Sequence, residues 1–247
     1  MNRYFGEEKP SLDYLVHHGV KGMHWGVRKD RPVGVHPMQA HTVNVEAGIH
    51  STTREAAVDV ANKIHERYGF DINTVKVLDE RHAHYDPTFM AFVEDQHLSG
   101  GRQGTIFVAP RDMTHDLKEA EHDGWNAVGT GNPRGLLTHE SAHSLFHSDQ
   151  NVKVTAFGGQ KITGGYIKAR DKALAAAQKA AKQDRTNIWM TSGYARHSGY
   201  REELEAELFS QYHWMTNPPR FVVEWGKTLH KELGVDPTPF KEVKQHG

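Results

Sequence analysis

The hexapeptide Thr138-His139-Glu140-Ser141-Ala142-His143 sets two histidines four residues apart, with a glutamate directly after the first. On an α-helix, residues i and i+4 stand one above the other on a single face. His139 and His143 would then offer two imidazoles to one metal ion. Glu140, beside them, would be placed to take a proton from a water activated by that metal. The chain holds 19 histidines, so pairs arise readily by chance and the setting has to be weighed. Leu136, Ala142, Leu145 and Phe146 share an apolar flank beside the metal-facing side, as expected of a helix backed by a core. Asn132-Pro133 reads as the helix start, with Pro at the first helical position, and Ser148-Asp149-Gln150-Asn151 as its stop.

Two imidazoles leave a catalytic zinc one protein ligand short. Downstream, Thr191-Ser192-Gly193-Tyr194-Ala195-Arg196 leads into Tyr200-Arg201-Glu202-Glu203-Leu204-Glu205-Ala206-Glu207-Leu208-Phe209. In these residues the chain resembles the gluzincin-type metallopeptidases, particularly the group related to anthrax lethal factor. There a tyrosine-bearing loop precedes a helix reading E-x-x-A-E-x-F, and the match falls on Glu203, Ala206, Glu207 and Phe209. The resemblance implies Glu203 as the third zinc ligand and Tyr194 as a donor to the transition state. Glu207, one turn after Glu203, would support the ligands from outside. It also implies an α+β, zincin-like metallopeptidase domain: a small twisted sheet, an active-site helix and a helical C-terminal half. The implied activity is zinc-dependent hydrolysis of peptide bonds, with Glu140 as the proton carrier, Zn2+ as the cofactor and a protein or peptide as substrate.

Alternatives stay open at this level. The Tyr194–Glu203 spacing is slightly longer than in that group, which leaves Tyr200 as a second tyrosine. Glu202 and Glu205 are competing carboxylates, expected on an exposed, solvated face. Asp149 stands where metzincin-like enzymes put a third ligand, but Phe146 occupies the position of their glycine turn and does not take φ > 0 cheaply. His147 is expected near the helix end, too far along to join the site. A non-catalytic particle protein using a zincin fold as a structural module is the alternative function. An ADP-ribosyltransferase reading would use Glu203-Leu204-Glu205 with Ser51-Thr52-Thr53, and leaves the histidine pair unexplained.

The chain has 247 residues, a net charge of −1 and no cysteine. Disulfides and thiolate ligands are therefore excluded. With a near-neutral charge nothing global argues for nucleic-acid binding, and no nucleic-acid partner is expected. No apolar run approaches a membrane span, and no apolar signal-peptide core opens the chain. Residues 1–45 differ from the rest: rich in Gly, Pro, His and basic residues, with one short helix expected over Pro10–Val16. Residues 17–29 resemble an element, H-x-G-V-K-G-M-x-W-G-V-R, found near the ends of bacteriophage structural and morphogenesis proteins. The resemblance implies a phage-encoded protein, in the virion or the host cytoplasm, docking on virion proteins through this segment.

Residues 46–235 are expected to form the metallopeptidase domain, and 236–247 a frayed tail. Periodicity predicts a helix from Ser51 to Tyr68, capped by Ser51 or Thr52 and ended by Gly69. Strands are predicted at Val75–Leu78 and Gly104–Ala109, with an extended segment at Thr88–Val93. Residues 113–122 read as a short helix, and Trp125–Val128 as a strand or cleft loop. Either Thr105–Ala109 or Trp125–Val128 is the expected edge strand for aligning substrate. An Ala- and Lys-rich packing helix over 167–183, the Glu203 helix to about Met215 and a last helix over 219–233 complete the reading.

Overall fold

Thr53, Ala56, Ala57, Val60, Ala61, Ile64 and Tyr68 recur at helical spacing, and all seven are buried on one side of α1 (Ser51–Tyr68). Gly69 ends the helix at φ 60°, a left-handed conformation that costs a residue without Cβ little, and its N–H reaches His65 O at 2.8 Å. The capping expectation is corrected: the helix begins at Ser51, and the preceding residue, His50, makes no side-chain cap bond. The structure, a computed structural model, describes residues 42–82, 85–94, 103–147, 154–155, 161–162 and 165–240. The predicted Pro10–Val16 helix, the 17–29 element, Asp149 and the Ser148–Asn151 stop lie outside the described residues.

Four strands form a mixed sheet: β1 (Asn44–Val45), β2 (Asp71–Val77), β3 (Ala91–Glu94) and β4 (Gln103–Val108), in the order β1-β2-β4-β3. β1 and β4 run parallel to β2, and β3 pairs antiparallel with β4, Phe92 opposite Phe107. The architecture is α+β and mostly helical. One expectation is overturned by this topology. Thr105–Ala109 belongs to a central strand, covered on both faces, and Trp125–Val128 is a loop. The edge beside β4 is instead β3, which grows from the Thr88–Val93 segment. On one face Ile72, Val75 and Ile106 join the main core; on the other, Phe92 and Phe107 stack at 4.9 Å beside Leu78.

After the short α2 (Thr114–His122), the histidine motif lies on α3 (Pro133–His147). Pro133 is its first residue as predicted, and Asn132 Oδ1 accepts the Gly135 N–H at 3.1 Å, a cap on the orphan donors of the first turn. A Cβ at Gly135 would sit 2.1 Å from Thr130 O, so a side chain there would force the preceding loop away. A two-stranded ribbon, β5 (Val154–Thr155) and β6 (Lys161–Ile162), leads to α4 (Gly165–Gln183). α4 lays Ala169, Ala173, Ala177 and Ala180 toward the core and packs along α7 (Arg220–Leu233), which presents Phe221, Val222, Trp225 and Leu229.

Between them run a 3-10 turn (Ile188–Thr191), α5 (Gly193–Ser198) and α6 (Arg201–Trp214). α6 packs across α3: Ser210 Oγ donates to Gly135 O at 2.8 Å and Trp214 Nε1 to Thr138 Oγ1 at 2.7 Å. Every residue from Glu203 to His213 is buried, so α6 is a central helix with no solvated face. Beyond α7 the expected fraying does not begin at Asp236. Phe240 is buried and stacks on His213 with centroids 3.7 Å apart, and Arg67 donates to Asp236 O at 2.9 Å and to Thr238 O. No helix among the described residues is long and apolar enough to cross a membrane.

Candidate metal centre

α3 projects His139 and His143 from one face, as their spacing requires, and α6 crosses that face with Glu203. His139 Nε2 and His143 Nε2 lie 3.0 Å apart, and Glu203 Oε2 is 3.3 Å from the first and 3.4 Å from the second. All three residues are buried. A tetrahedral zinc with ligand bonds of about 2.0–2.1 Å sets its donor atoms roughly 3.3 Å apart. The three donor atoms therefore have the spacing of one face of such a tetrahedron, and imidazole with carboxylate is a donor set that zinc accepts. Among the described residues this is the single group of three or more His, Cys, Asp or Glu side chains disposed to hold a metal.

Glu140 is buried next to His139, and its Oε2 has no hydrogen-bond partner among the described residues. Burial, then the charges of Glu203 and Glu207, holds its carboxyl well above the usual range. A buried carboxylate oxygen with no protein donor is costly unless a ligand or water meets it, which suits a group facing a reacting water. Glu207 lies on the far side of His139, its Oε1 3.9 Å from His139 Nδ1. It also accepts the Ala127 N–H at 3.3 Å and the Ser192 hydroxyl. Burial raises its pKa, opposed by His139 and by these two donors. At 3.9 Å Glu207 acts on the His139 ring through charge and not through a hydrogen bond.

Tyr194 is the second residue of α5 and is partly buried. Burial raises its pKa, followed by the charges of Glu203, Glu140, Glu207 and the neighbouring Tyr200. Its surroundings therefore keep it protonated. The Tyr194 segment is held in place by backbone bonds, Gly193 N–H to Gly124 O at 2.5 Å and Tyr194 N–H to Trp125 O at 3.1 Å. Ser192 caps α5 by accepting the Ala195 N–H at 2.9 Å. Glu121 holds the loop before α3, accepting Gly129 N–H at 2.9 Å and Gly131 N–H at 2.6 Å. A cleft lined by Met90, Asn126, Thr130, Leu136, Glu140 and Glu207 opens beside His139.

The structure thus gathers Glu140, His139, His143, Glu203, Glu207 and Tyr194. It departs from the sequence reading at Glu205, expected on a solvated face and found fully buried. Both oxygens of Glu205 are taken: Arg170 binds Oε2 through Nε at 2.7 Å and through Nη2, and Arg201 Nε binds Oε1 at 3.0 Å. Glu202 is half-buried. The E-x-E pair of the transferase reading is divided, since Glu203 meets the histidines and Glu205 the arginines, and Ser51-Thr52-Thr53 opens α1. Sequence reasoning missed Arg170, Glu121 and Ser192. Only Ser192 carried a signal, a serine just before a short helix; nothing in the Ala- and Lys-rich α4 sequence sets Arg170 apart.

A family of unknown function (DUF7211) matches residues 8–32, a segment that includes the 17–29 element. No curated protein and no solved structure matches the chain.

Proposed function

We propose that this chain is a zinc-dependent peptidase with a zincin-like fold, in which His139, His143 and Glu203 hold the metal. One observation carries the reading: three buried donor atoms spaced 3.0, 3.3 and 3.4 Å beside a buried glutamate. Zn2+, when bound, would supply Lewis acidity toward a water and toward the scissile carbonyl. Glu140 takes the proton of the attacking water and delivers it to the leaving amine; its raised proton affinity suits a group that must carry a proton between the two. Tyr194 stays protonated and donates to the oxyanion that develops on the carbonyl oxygen. Glu207 places a carboxylate beside the His139 ring and accepts the Ala127 N–H of the loop next to the cleft.

A substrate is placed by the sheet edge. Among the described residues β3 pairs on one side only, with β4, and Met90 just before it lines the cleft together with His139 and Glu140. An extended peptide added beside β3 would bring its backbone to Glu140. The phage-encoded origin, and a virion or host protein as substrate, rest on the resemblance of residues 17–29.

The reading is tested by zinc content and peptide hydrolysis of the full chain beside His143→Ala, Glu203→Ala and Glu140→Gln. We expect one zinc per wild-type chain, its loss in the two ligand variants, and retained zinc without hydrolysis in Glu140→Gln. A wild type with no stoichiometric zinc, or a Glu203→Ala variant with a full complement, overturns it.

A further inference from the structure

Arg170 joins the two ligand-bearing helices at a point none of the proposed zinc ligands occupies. Its guanidinium grips Glu205 Oε2 through Nε and Nη2, and Nη1 donates to Phe146 O at 3.4 Å. The guanidinium carbon also lies 5.1 Å over the Phe146 ring. Glu205 is two residues beyond Glu203 on α6, and Phe146 three beyond His143 on α3. Arg170 itself is 3% exposed and Glu205 0%.

Burying an ion pair is a poor way to gain stability, because well-packed apolar side chains of similar volume commonly serve as well or better. What a guanidinium fork adds is direction, since its planar donors accept a carboxylate in few orientations. Direction matters on α6. At 3.6 residues per turn, Glu205 points about 200° away from Glu203, so one residue faces α3 and the other α4. With side-chain atoms about 5 Å from the helix axis, a turn of about 10° moves a carboxylate by about 1 Å. Metal–ligand distances tolerate about 0.2 Å.

We infer that Arg170 and Glu205 are positioning residues that fix the rotation of α6 against α3, and so hold Glu203 at its distance from His139 and His143. The inference rests on the metal reading above. Arg201 completes the lock from the rim: it binds Glu205 Oε1 and, through Nη1, Asp171 at 2.7 Å. Arg170 reaches no reacting group and acts only through the two helices.

The test is a Co2+ titration of the full chain, followed by visible absorption, with thermal unfolding of the metal-free protein measured in parallel. Arg170→Met/Glu205→Leu removes both buried charges and keeps the apolar volume, and the half-exposed Arg201, which loses Glu205, keeps Asp171. Arg170→Lys keeps the charge but not the fork and is the milder variant should the double one fail to fold. Lys172→Ala, which removes an exposed α4 contact to Glu232, is the control. We expect a folded Arg170 variant to bind Co2+ about 10–100-fold more weakly, with an altered absorption band, while Lys172→Ala matches wild type. Wild-type affinity and spectrum in the folded double variant, or in Arg170→Lys if only that one folds, overturn the positioning role. A wild type that takes up no Co2+ overturns the metal reading, and the positioning role with it, a failure distinct from the first.

Discussion

Glu203 Oε2 stands 3.4 Å from His143 Nε2, and this approach joins the helix of the histidine motif to a helix that follows it only after α4 and the Tyr194 turn. The two helices are cross-braced by Ser210 on Gly135, Trp214 on Thr138 and Arg170 on both Glu205 and Phe146. The donor spacing is thus a property of helix packing.

Removing the metal should destabilise the wild type and leave the ligand variants unmoved. At zinc a thousandfold above its dissociation constant, binding to the folded chain alone stabilises it by about 4 kcal/mol. Chelation should therefore lower the wild-type melting temperature by several degrees and leave that of Glu203→Ala unchanged. Asp149→Ala should respond to chelation as wild type does. Scanning calorimetry with and without chelator checks this, and a Glu203→Ala protein that still responds while Asp149→Ala does not would move the third ligand to Asp149.

Glu140→Gln removes the proposed proton carrier and keeps the shape of the site. Hydrolysis should fall by at least about 10²–10⁴-fold, with zinc content unchanged. Single-turnover cleavage of a peptide library, read by mass spectrometry, measures it; undiminished cleavage would assign the proton transfer elsewhere.

The two tyrosines are separable by kinetics. Tyr194→Phe should lower kcat by about 10²–10³-fold with little change in KM, because the donor acts on charge that develops only in the transition state. Tyr200→Phe should leave kcat within a factor of a few. The reverse pattern would give the role to Tyr200.

Acid should weaken the protein through a buried histidine pair, His213 near the end of α6 and His230 on α7. Tyr68 Oη lies 3.0 Å from His213 Nε2 and 2.7 Å from His230 Nε2. His230 Nδ1 faces Gly226 O at 2.6 Å, and His213 Nδ1 faces the Phe240 N–H at 3.3 Å. These neighbours assign the protons. His230 donates from Nδ1 and accepts the Tyr68 hydroxyl at Nε2; His213 accepts at Nδ1 and donates from Nε2 to Tyr68. Both rings must be neutral. Burial pushes His230 down to about 4 from an ordinary 6.5, and burial, with His230 and Arg67 adding to it, pushes His213 well below its ordinary value. Between those pH values the unfolded chain binds the proton and the folded chain does not. The part of the stability that depends on these two rings is therefore full above about pH 6.5 and is lost as pH falls toward 4, with His230 alone contributing on the order of 3 kcal/mol. Urea melts at pH 7.5, 5.5 and 4.5 check the slope, which should flatten in His230→Phe.

Local chemistry made much of this chain legible in its residues. The i, i+4 spacing of His139 and His143 dictates a shared helical face, and Pro133 and Gly69 mark helix ends through backbone geometry that needs no tertiary contact. The apolar period of Ser51–Tyr68 and the alanines of α4 announce which sides face the core. Long-range packing decided the rest. Glu203 and Glu205 are the same residue type on one helix, and only the crossing of α3 and α4 makes one a candidate ligand and the other an ion-pair partner. Whether β3 or β4 lies at the sheet edge depends on strand pairing order, which periodicity within a strand does not encode. Phe240 is docked because His213 and Arg67 wait for it, from elements distant in sequence. Side-chain type and spacing set what each element can offer; burial and the order of packing set which offer is taken up.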